Sequence, residues 1–391
     1  MRVCFVSPTW WSGGSERSMI DLIDVLTARS IECRVVVPGR DYVAQALEAR
    51  RIPYAVYFFR PWTSRFPLPL WDRLLKKPLV HSLRGARLAR MIRGWKCDVV
   101  VTNTLTCCEG ALGARLLGIP HVTHVREFGD LDHGFHFEFG PRLSMRILSA
   151  LSKLVIFNSK AVARHYERQV PPDRARVVYN PVPVPPVPAK EQSEPARQGA
   201  AVPFLCVLVG TVAESKGHEQ ALRAVHEVVR RGLPVRLKIV GSGSAPYVEY
   251  LRRLIDSLGL APHVDMVGYT SDPYPFFREA DVALMCSRME AFGRVILEAM
   301  KMGTPVIGAR SGGIPETIRD GFNGLLYTPG DWKGLADKIQ VLCEDPQAAR
   351  RLGQQAREWA TQTFNLERYG DEMLAVLGEA TGQPDLSRRP R

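Results

Sequence analysis

Short apolar runs alternate along this chain with glycine-bearing turns and helix-like segments, and the alternation stops once and then restarts. RVCFVSP (Arg2–Pro8) is followed by the loop WWSGGS and by ERSMIDLIDVLTARS, whose Met19, Leu22, Ile23 and Leu26 share one helical face. ECRVVVPG, CDVVVTN, PHVTHV and KLVIFNS repeat the pattern. Strands that are apolar throughout, separated by helices, predict a parallel sheet covered on both faces.

The pattern breaks at NPVPVPPVPAKEQSEPARQGAAVP, residues 180–203, too proline-rich for a helix or an interior strand. FLCVLVG, VRLKIVG, HVDMVG, DVALMCS, GTPVIGA and GLLY then supply a second set of strands, with helices between them. The expectation is α/β: two doubly wound, Rossmann-like domains at 1–180 and 203–365, joined by a Pro-rich linker at 181–202. A helix at 366–380 is expected to pack back toward the first domain, and 381–391 reads as a basic tail. A chain of 391 residues exceeds the size of one core, and 46% apolar residues suffice for two. Two such sheets are expected to face each other across a cleft at their carboxyl ends, where this fold class places ligands.

The eight cysteines show no metal-like CxxC spacing, and several sit in apolar runs as core thiols do, which suits a reducing cytoplasm. Pro8 and Gly13 come too early for a signal-peptide core, and no run approaches the roughly 18 apolar residues of a membrane span. The net charge of +12 is clustered. Ten Lys or Arg residues stand between Arg60 and Lys96 against one acid, Asp72, interleaved with Trp62, Phe66, Leu68, Leu70, Trp71 and Trp95. That mixture suits an anionic membrane surface, and it equally suits a solvated helix face beside core positions. No nucleic-acid-binding module accompanies the charge, so nucleic acid is not an expected partner.

Three glycine-bearing loops follow strands. Ser12–Ser15 (SGGS, with Gly13 and Gly14) opens a helix, where amides can approach an anion. Gly210–Gly217 (GTVAESKG) carries Lys216 before a helix but lacks the spacing of a P-loop, and Gly241–Ser244 (GSGS) lacks the third glycine of a dinucleotide fingerprint. SRMEAFGRVILEAM (Ser287–Met300) places Glu290 in a loop and Glu298 in the second turn of a helix. The amides of Phe292, Gly293, Arg294 and Val295 then form an anion site, and Glu298 lies ~8 Å along the axis from Gly293. Carboxylates flanking an anion site accept hydrogen bonds from vicinal hydroxyls, which together with a pyrophosphate describe a nucleotide sugar. Taken alone, two glutamates fit helix-end or surface charges better.

The segment SRMEAFGRVILEAMKMGTPVIGARSGGIPETIRDGFNGLLYTPGD (Ser287–Asp331) resembles the donor-site signature of family 4 glycosyltransferases, also called glycosyltransferase group 1, which have the GT-B fold. The resemblance continues in GGSE (Gly13–Glu16), VVYNPV (Val177–Val182), VGTVAESKG (Val209–Gly217), IVGSGS (Ile239–Ser244) and DPYPFFREADV (Asp272–Val282). It implies retaining transfer of a hexose from a nucleoside diphosphate sugar to a saccharide or lipid-linked acceptor, without a cofactor or bound metal. Matched residue by residue, it implies Glu298 at the ribose, Glu290 at the transferred sugar, and Lys216, the Gly13–Gly14 loop and the amides of Phe292–Val295 at the pyrophosphate. No Asp-x-Asp motif stands within Ser287–Asp331 to take that charge instead. Gly241 is expected at the donor as well.

The chain departs from the family pattern at Thr211, where an arginine is usual, so one phosphate cation is either missing or supplied from elsewhere, with Arg294 a candidate. It departs again at HVREFGD, where Arg126 and Glu127 stand in place of a His-Asp pair and His124 lies two residues earlier. Any of His124, Arg126 and Glu127 could meet the acceptor, with His124 the catalytic candidate; structural roles fit them as well. His121/His124 and His133/His136 form two HxxH pairs, but residues three apart on a strand face opposite ways, which disfavours zinc. A non-catalytic subunit of the same fold, binding a nucleotide sugar, lipid or protein, is the alternative. The expected location is the cytoplasm, with attachment to the inner membrane face through residues 60–96.

Overall fold

The computed structural model describes residues 1–8, 13–64, 77–186 and 202–383. They form two compact units, the first comprising residues 1–181 with the C-terminal segment from Asn365, the second comprising Val182–Phe364. The proline-rich stretch 187–201, Arg65–Lys76 within the basic segment, Ser12 of the first loop, and the basic tail beyond 383 lie outside the described residues.

The first unit contains, in chain order, β1 (Arg2–Val6), β2 (Glu32–Val37), β3 (Tyr54–Val56), β4 (Thr63–Ser64), β5 (Val99–Thr102), β6 (His121–Val125), β7 (His136–Phe137), β8 (Leu154–Phe157) and β9 (Ala175–Val177). Seven of these form a parallel sheet in the order β3-β2-β1-β5-β6-β8-β9, while β4 and β7 pair antiparallel. Strands β1, β5, β6 and β8 bury nearly every residue, as their unbroken apolar composition requires. The order reverses between β1 and β5, the position at which sheets of this kind open a crevice at their carboxyl ends.

One face of this sheet is covered by the helix Gly14–Ala28 and, unusually for its sequence position, by the last helix, Leu366–Thr381. Tyr369, Met373, Leu374, Val376 and Leu377 of that helix join the same core as Leu22, Ile23, Val35 and Val101. Gly370 permits the close approach: a Cβ there would lie 2.3 Å from Cγ1 of Val25.

The helix Lys77–Ile92 buries His81, Gly85, Leu88, Ala89 and Ile92 and leaves Leu79, Leu83, Arg87 and Arg90 on the outer face. Trp62, counted above among the aromatic residues of a membrane-facing segment, is instead a core residue, 1% exposed, whose indole N–H donates to Leu105 O at 2.8 Å. Trp95 packs beneath the guanidinium of Arg34. The seven cysteines other than Cys343 are buried, and all eight are free thiols.

The second unit contains β10 (Phe204–Val209), β11 (Val235–Val240), β12 (Val264–Gly268), β13 (Val282–Met285), β14 (Val306–Ala309) and β15 (Leu325–Tyr327), all parallel in the order β12-β11-β10-β13-β14-β15. Its reversal lies between β10 and β13, so the loops carrying Lys216 and Glu290 leave the sheet side by side. Lys301, buried at the end of the helix Arg294–Lys301, donates from Nζ to Val182 O (2.8 Å) and Phe364 O (2.7 Å), tying the first residue of this unit to its last.

Candidate functional site

At the carboxyl end of β10 the chain makes a short 3-10 turn, Glu214–Lys216, before the helix His218–Arg230. Beyond β13, Cys286 and Ser287 are buried and the loop returns through Glu290 to the helix Arg294–Lys301. These loops are fixed to each other by Arg288 N–H donating to Ser215 O at 2.9 Å. Lys216 Nζ donates to Glu290 Oε2 at 2.7 Å, with the two side chains 31% and 17% exposed. Ser287 Oγ donates to the same carboxylate oxygen at 3.2 Å. The ion pair therefore sits at a wet rim and is held from below by a buried hydroxyl.

The backbone of Glu290 is set by the SGG segment after β14. Gly313 N–H donates to Glu290 O at 2.8 Å, Ser311 Oγ donates to Ser287 O at 2.9 Å, and a Cβ at Gly312 would fall 2.2 Å from Glu290 O. Only glycine fits there, which explains SGG chemically. Gly293 caps the helix in the left-handed region, φ 78° and ψ 60°. Glu298 is 4% exposed, and its Oε1 lies 3.9 Å from Nε of Arg294. A nearly dry carboxylate at this depth is suited to accept hydrogen bonds from hydroxyls inserted above it.

The remaining second-unit candidates are placed as follows. Thr211 is exposed just after Gly210, and Gly241 follows β11 with its Cα close against Gly210 O. Phe292 is buried and packs edge-on against Phe364. Val295 is half-buried in the first helical turn. His218 is buried, its Nδ1–H donating to Ala213 O at 3.2 Å, and burial pushes its pKa down to about 4, so the ring is neutral at pH 7.

Two features were passed over in the sequence. Ser287 and Ser311, the hydroxyls that fix the Glu290 loop, carry no signal beyond lying inside the quoted segment. Asn323 of DGFNGLL is fully buried and closes its turn by accepting from Arg319 N–H at 2.6 Å and donating to Thr317 O at 3.2 Å.

The first-unit candidates require two corrections. Gly13 N–H, expected to receive an anion, donates to Glu16 Oε2 at 3.2 Å, and Ser15 Oγ donates to the same oxygen at 2.7 Å. Glu16 is the N3 residue of its own helix and supplies the negative charge there itself, while Gly14 stands exposed beside it. His124, Arg126 and Glu127, expected at an acceptor, are all buried.

The Arg126 guanidinium donates to Asn103 Oδ1 (2.6 Å), Asn180 Oδ1 (2.5 Å), His124 Nδ1 (3.2 Å) and Tyr369 Oη (3.4 Å). Burial, reinforced by Arg126, lowers the His124 pKa well below its ordinary value and keeps the ring neutral, with Nδ1 as the acceptor. Glu127 accepts from Thr104 Oγ1 and from Leu105 N–H at 3.2 Å, and burial raises its pKa. These groups hold β5, β6 and the last helix in register; Arg126 spends its donors inside the fold, because a buried guanidinium must be satisfied there.

The first half of the chain, residues 12–184, matches the model of Glycosyltransferase Family 4, and residues 191–359 match that of Glycosyl transferases group 1. The GDP-mannose-dependent alpha-(1-6)-phosphatidylinositol monomannoside mannosyltransferase of Mycolicibacterium smegmatis is 33% identical over 44% of this chain, and the match spans about half (47%) of that relative's length. The lipopolysaccharide core biosynthesis glycosyltransferase LpsE of Rhizobium meliloti is 26% identical over 93% of this chain and 96% of its own. Among solved structures, Anabaena Alr3699/HepE in complex with UDP-glucose superposes with a TM-score of 0.74 at 25% identity, covering 95% of this chain and 98% of that one.

Proposed function

Because this chain belongs to the group 1 glycosyltransferases of the GT-B fold, we propose that it transfers a hexose from a nucleoside diphosphate sugar, with retention of configuration, to a saccharide or lipid-linked saccharide acceptor in glycan biosynthesis. The observation that carries this reading is the Lys216–Glu290 pair at the head of the helix Arg294–Lys301, with the dry carboxylate of Glu298 further along the same helix. A UDP-sugar in HepE and the GDP-mannose dependence of the mycobacterial relative support a sugar nucleotide as donor.

In this reading Glu298 accepts from the ribose hydroxyls. The donor diphosphate draws the Lys216 ammonium away from Glu290, which frees that carboxylate for hydroxyls of the transferred sugar. As the glycosidic bond to phosphate breaks, negative charge grows on the diphosphate and positive charge on the anomeric carbon. Lys216 and the amides of Gly293, Arg294 and Val295 face the first, and Glu290 faces the second. Arg294, on the first helical turn, adds the cation that Thr211 cannot supply. The outer face of the helix Lys77–Ile92 brings the enzyme to an anionic membrane surface, where a lipid-linked acceptor resides.

Purified full-length chain incubated with UDP-, GDP- or ADP-hexoses and an extract of lipid-linked acceptors should release one nucleoside diphosphate, and proton NMR of the product should show the donor's anomeric configuration. Inverted product overturns the retaining reading. Wild-type release by a folded Glu290→Ala variant overturns the assignment of the site.

A further inference from the structure

We propose that the first unit holds one divalent transition-metal ion of the zinc class, bound by Nδ1 of His81, Sγ of Cys108 and the carboxylate of Glu109. One ligand atom from each lies within 4.8 Å of the others, and all three residues are buried, 3%, 3% and 0% exposed. His81 comes from the helix Lys77–Ile92, Cys108 is the N-cap of the helix Glu109–Leu117, and Glu109 is its first residue.

Two atoms in the cluster are orphans. His81 Nδ1 and Glu109 Oε2 are buried without a hydrogen-bond partner, and His81 Nδ1 lies 3.8 Å from Glu109 Oε1. Buried polar atoms that lack hydrogen-bond partners are costly in a fold and inexpensive as ligands. The opposite ring nitrogen is already engaged: Nε2 of His81 lies 2.8 Å from Glu138 Oε2. With Nε2–H donating to Glu138, Nδ1 is the nitrogen that faces Cys108 and Glu109. Burial lowers the ring pKa, but these three acids push it up to about 11, so in the metal-free chain Nδ1 carries a proton that the metal would replace, giving the carboxylate–histidine–metal arrangement in which an outer carboxylate fixes the ring.

A thiolate and one carboxylate carry two negative charges, matching one divalent cation, and nitrogen, sulfur and carboxylate oxygen together are the zinc ligand set. The ion would cross-link two helices beside the Thr104–Leu105 loop that holds Glu127, so its role is to brace that loop, and binding displaces the Cys108 thiol proton and the His81 Nδ1 proton to solvent. The HxxH histidines take no part, and the sequence conceals the site because its ligands fall at 81, 108 and 109 without a recognised spacing.

The full-length chain is tested by elemental analysis as purified and, after dialysis against chelator, by titration with Co²⁺. The expected result is one zinc per chain, and one cobalt per chain with a near-ultraviolet thiolate-to-cobalt band and a higher melting temperature on loading. Cys108→Ser should abolish the band, while Cys343→Ser, which removes the most accessible of the thiols, should leave it intact. Substoichiometric zinc together with no cobalt band in chain that is folded by circular dichroism overturns the proposal, as does a band that survives Cys108→Ser or disappears in Cys343→Ser.

Discussion

The Lys216 ammonium and the Glu290 carboxylate meet at 2.7 Å although they close different loops, one after β10 and the other after β13. An ion pair 31% and 17% exposed contributes little to folding, on the order of 1 kcal/mol or less. Glu290→Ala and Lys216→Ala should each lower the rate of nucleoside diphosphate release by about 10²- to 10³-fold, the usual effect of removing one preorganised electrostatic group. The double variant should be little worse than the poorer single one, because both groups act on the breaking of one glycosidic bond, Lys216 at the diphosphate and Glu290 at the anomeric carbon. Fully additive losses in the four-member cycle would separate their roles.

Glu298 differs from Glu290 in being nearly dry and in lying inside the helix. Its expected partners are donor hydroxyls that do not react, so Glu298→Gln should act on binding more than on turnover. The donor KM should rise by about 10- to 100-fold, equivalent to about 1.5–3 kcal/mol for a hydrogen bond to a charged group, with kcat changed much less. A 2′-deoxyribose donor should be discriminated by wild type and not by the variant. Equal discrimination by both would place Glu298 elsewhere than the ribose.

Much of this was legible because strands such as VALM and VIGA can only be buried and because SGG and Phe-Gly are backbone requirements visible as letters. Ser287–Asp331 therefore forecast its own geometry, Glu290 in the loop and Glu298 in the second helical turn. What stayed hidden were contacts between residues distant in sequence. Tyr369 reaching Arg126, Trp62 buried under Leu105, and Glu16 turning back on Gly13 all depend on which surfaces meet. HVREFGD points to an acceptor only through its alignment with the family's His-Asp pair, beside which structural roles fit as well; in the fold Asn103, Asn180 and Tyr369 enclose Arg126.

The last helix supplies core to the first unit from the far end of the chain, so its contribution should be measurable as stability. Met373 is fully buried among Leu22, Ile23 and Val35. Met373→Ala should cost about 2–5 kcal/mol by chemical denaturation, the range for deleting a buried side chain of this size. Gly370→Leu should cost at least as much, since even a Cβ meets Val25 at 2.3 Å. Variants as stable as wild type would mean the helix is not docked.

Acid should weaken both units through histidines buried in the neutral form. Burial lowers His121 to about 3 and His218 to about 4, against about 6.5 when unfolded. Between the folded and unfolded values the unfolded chain binds more protons, so stability falls as pH drops below about 6.5 and levels off only below the folded value. Each histidine should remove about 1.4 kcal/mol per pH unit in that window, or about 2 kcal/mol by pH 5. Denaturant midpoints at pH 7, 6 and 5 should show this slope, and His218→Asn should flatten its share of it; a midpoint that does not move between pH 7 and 5 would contradict the neutral assignments.

The outer stripe of the helix Lys77–Ile92 places Leu79 and Leu83, 62% and 58% exposed, in line with Arg87 and Arg90 at positions i, i+4, i+8 and i+11. Nearby, Phe58 is 67% exposed with the Arg84 guanidinium 5.7 Å from its ring centroid. Exposed leucines cost solubility unless something covers them, and flanking arginines select an anionic cover, each worth about 1 kcal/mol near such a surface. Full-length protein should therefore cosediment with phosphatidylglycerol vesicles, lose that binding with rising salt, and bind neutral phosphatidylcholine vesicles poorly. Leu79→Glu with Leu83→Glu should reduce binding at least tenfold, and because neither side chain is in the core, the melting temperature should stay put. Equal sedimentation by wild type and this variant would leave the stripe as an ordinary solvated face.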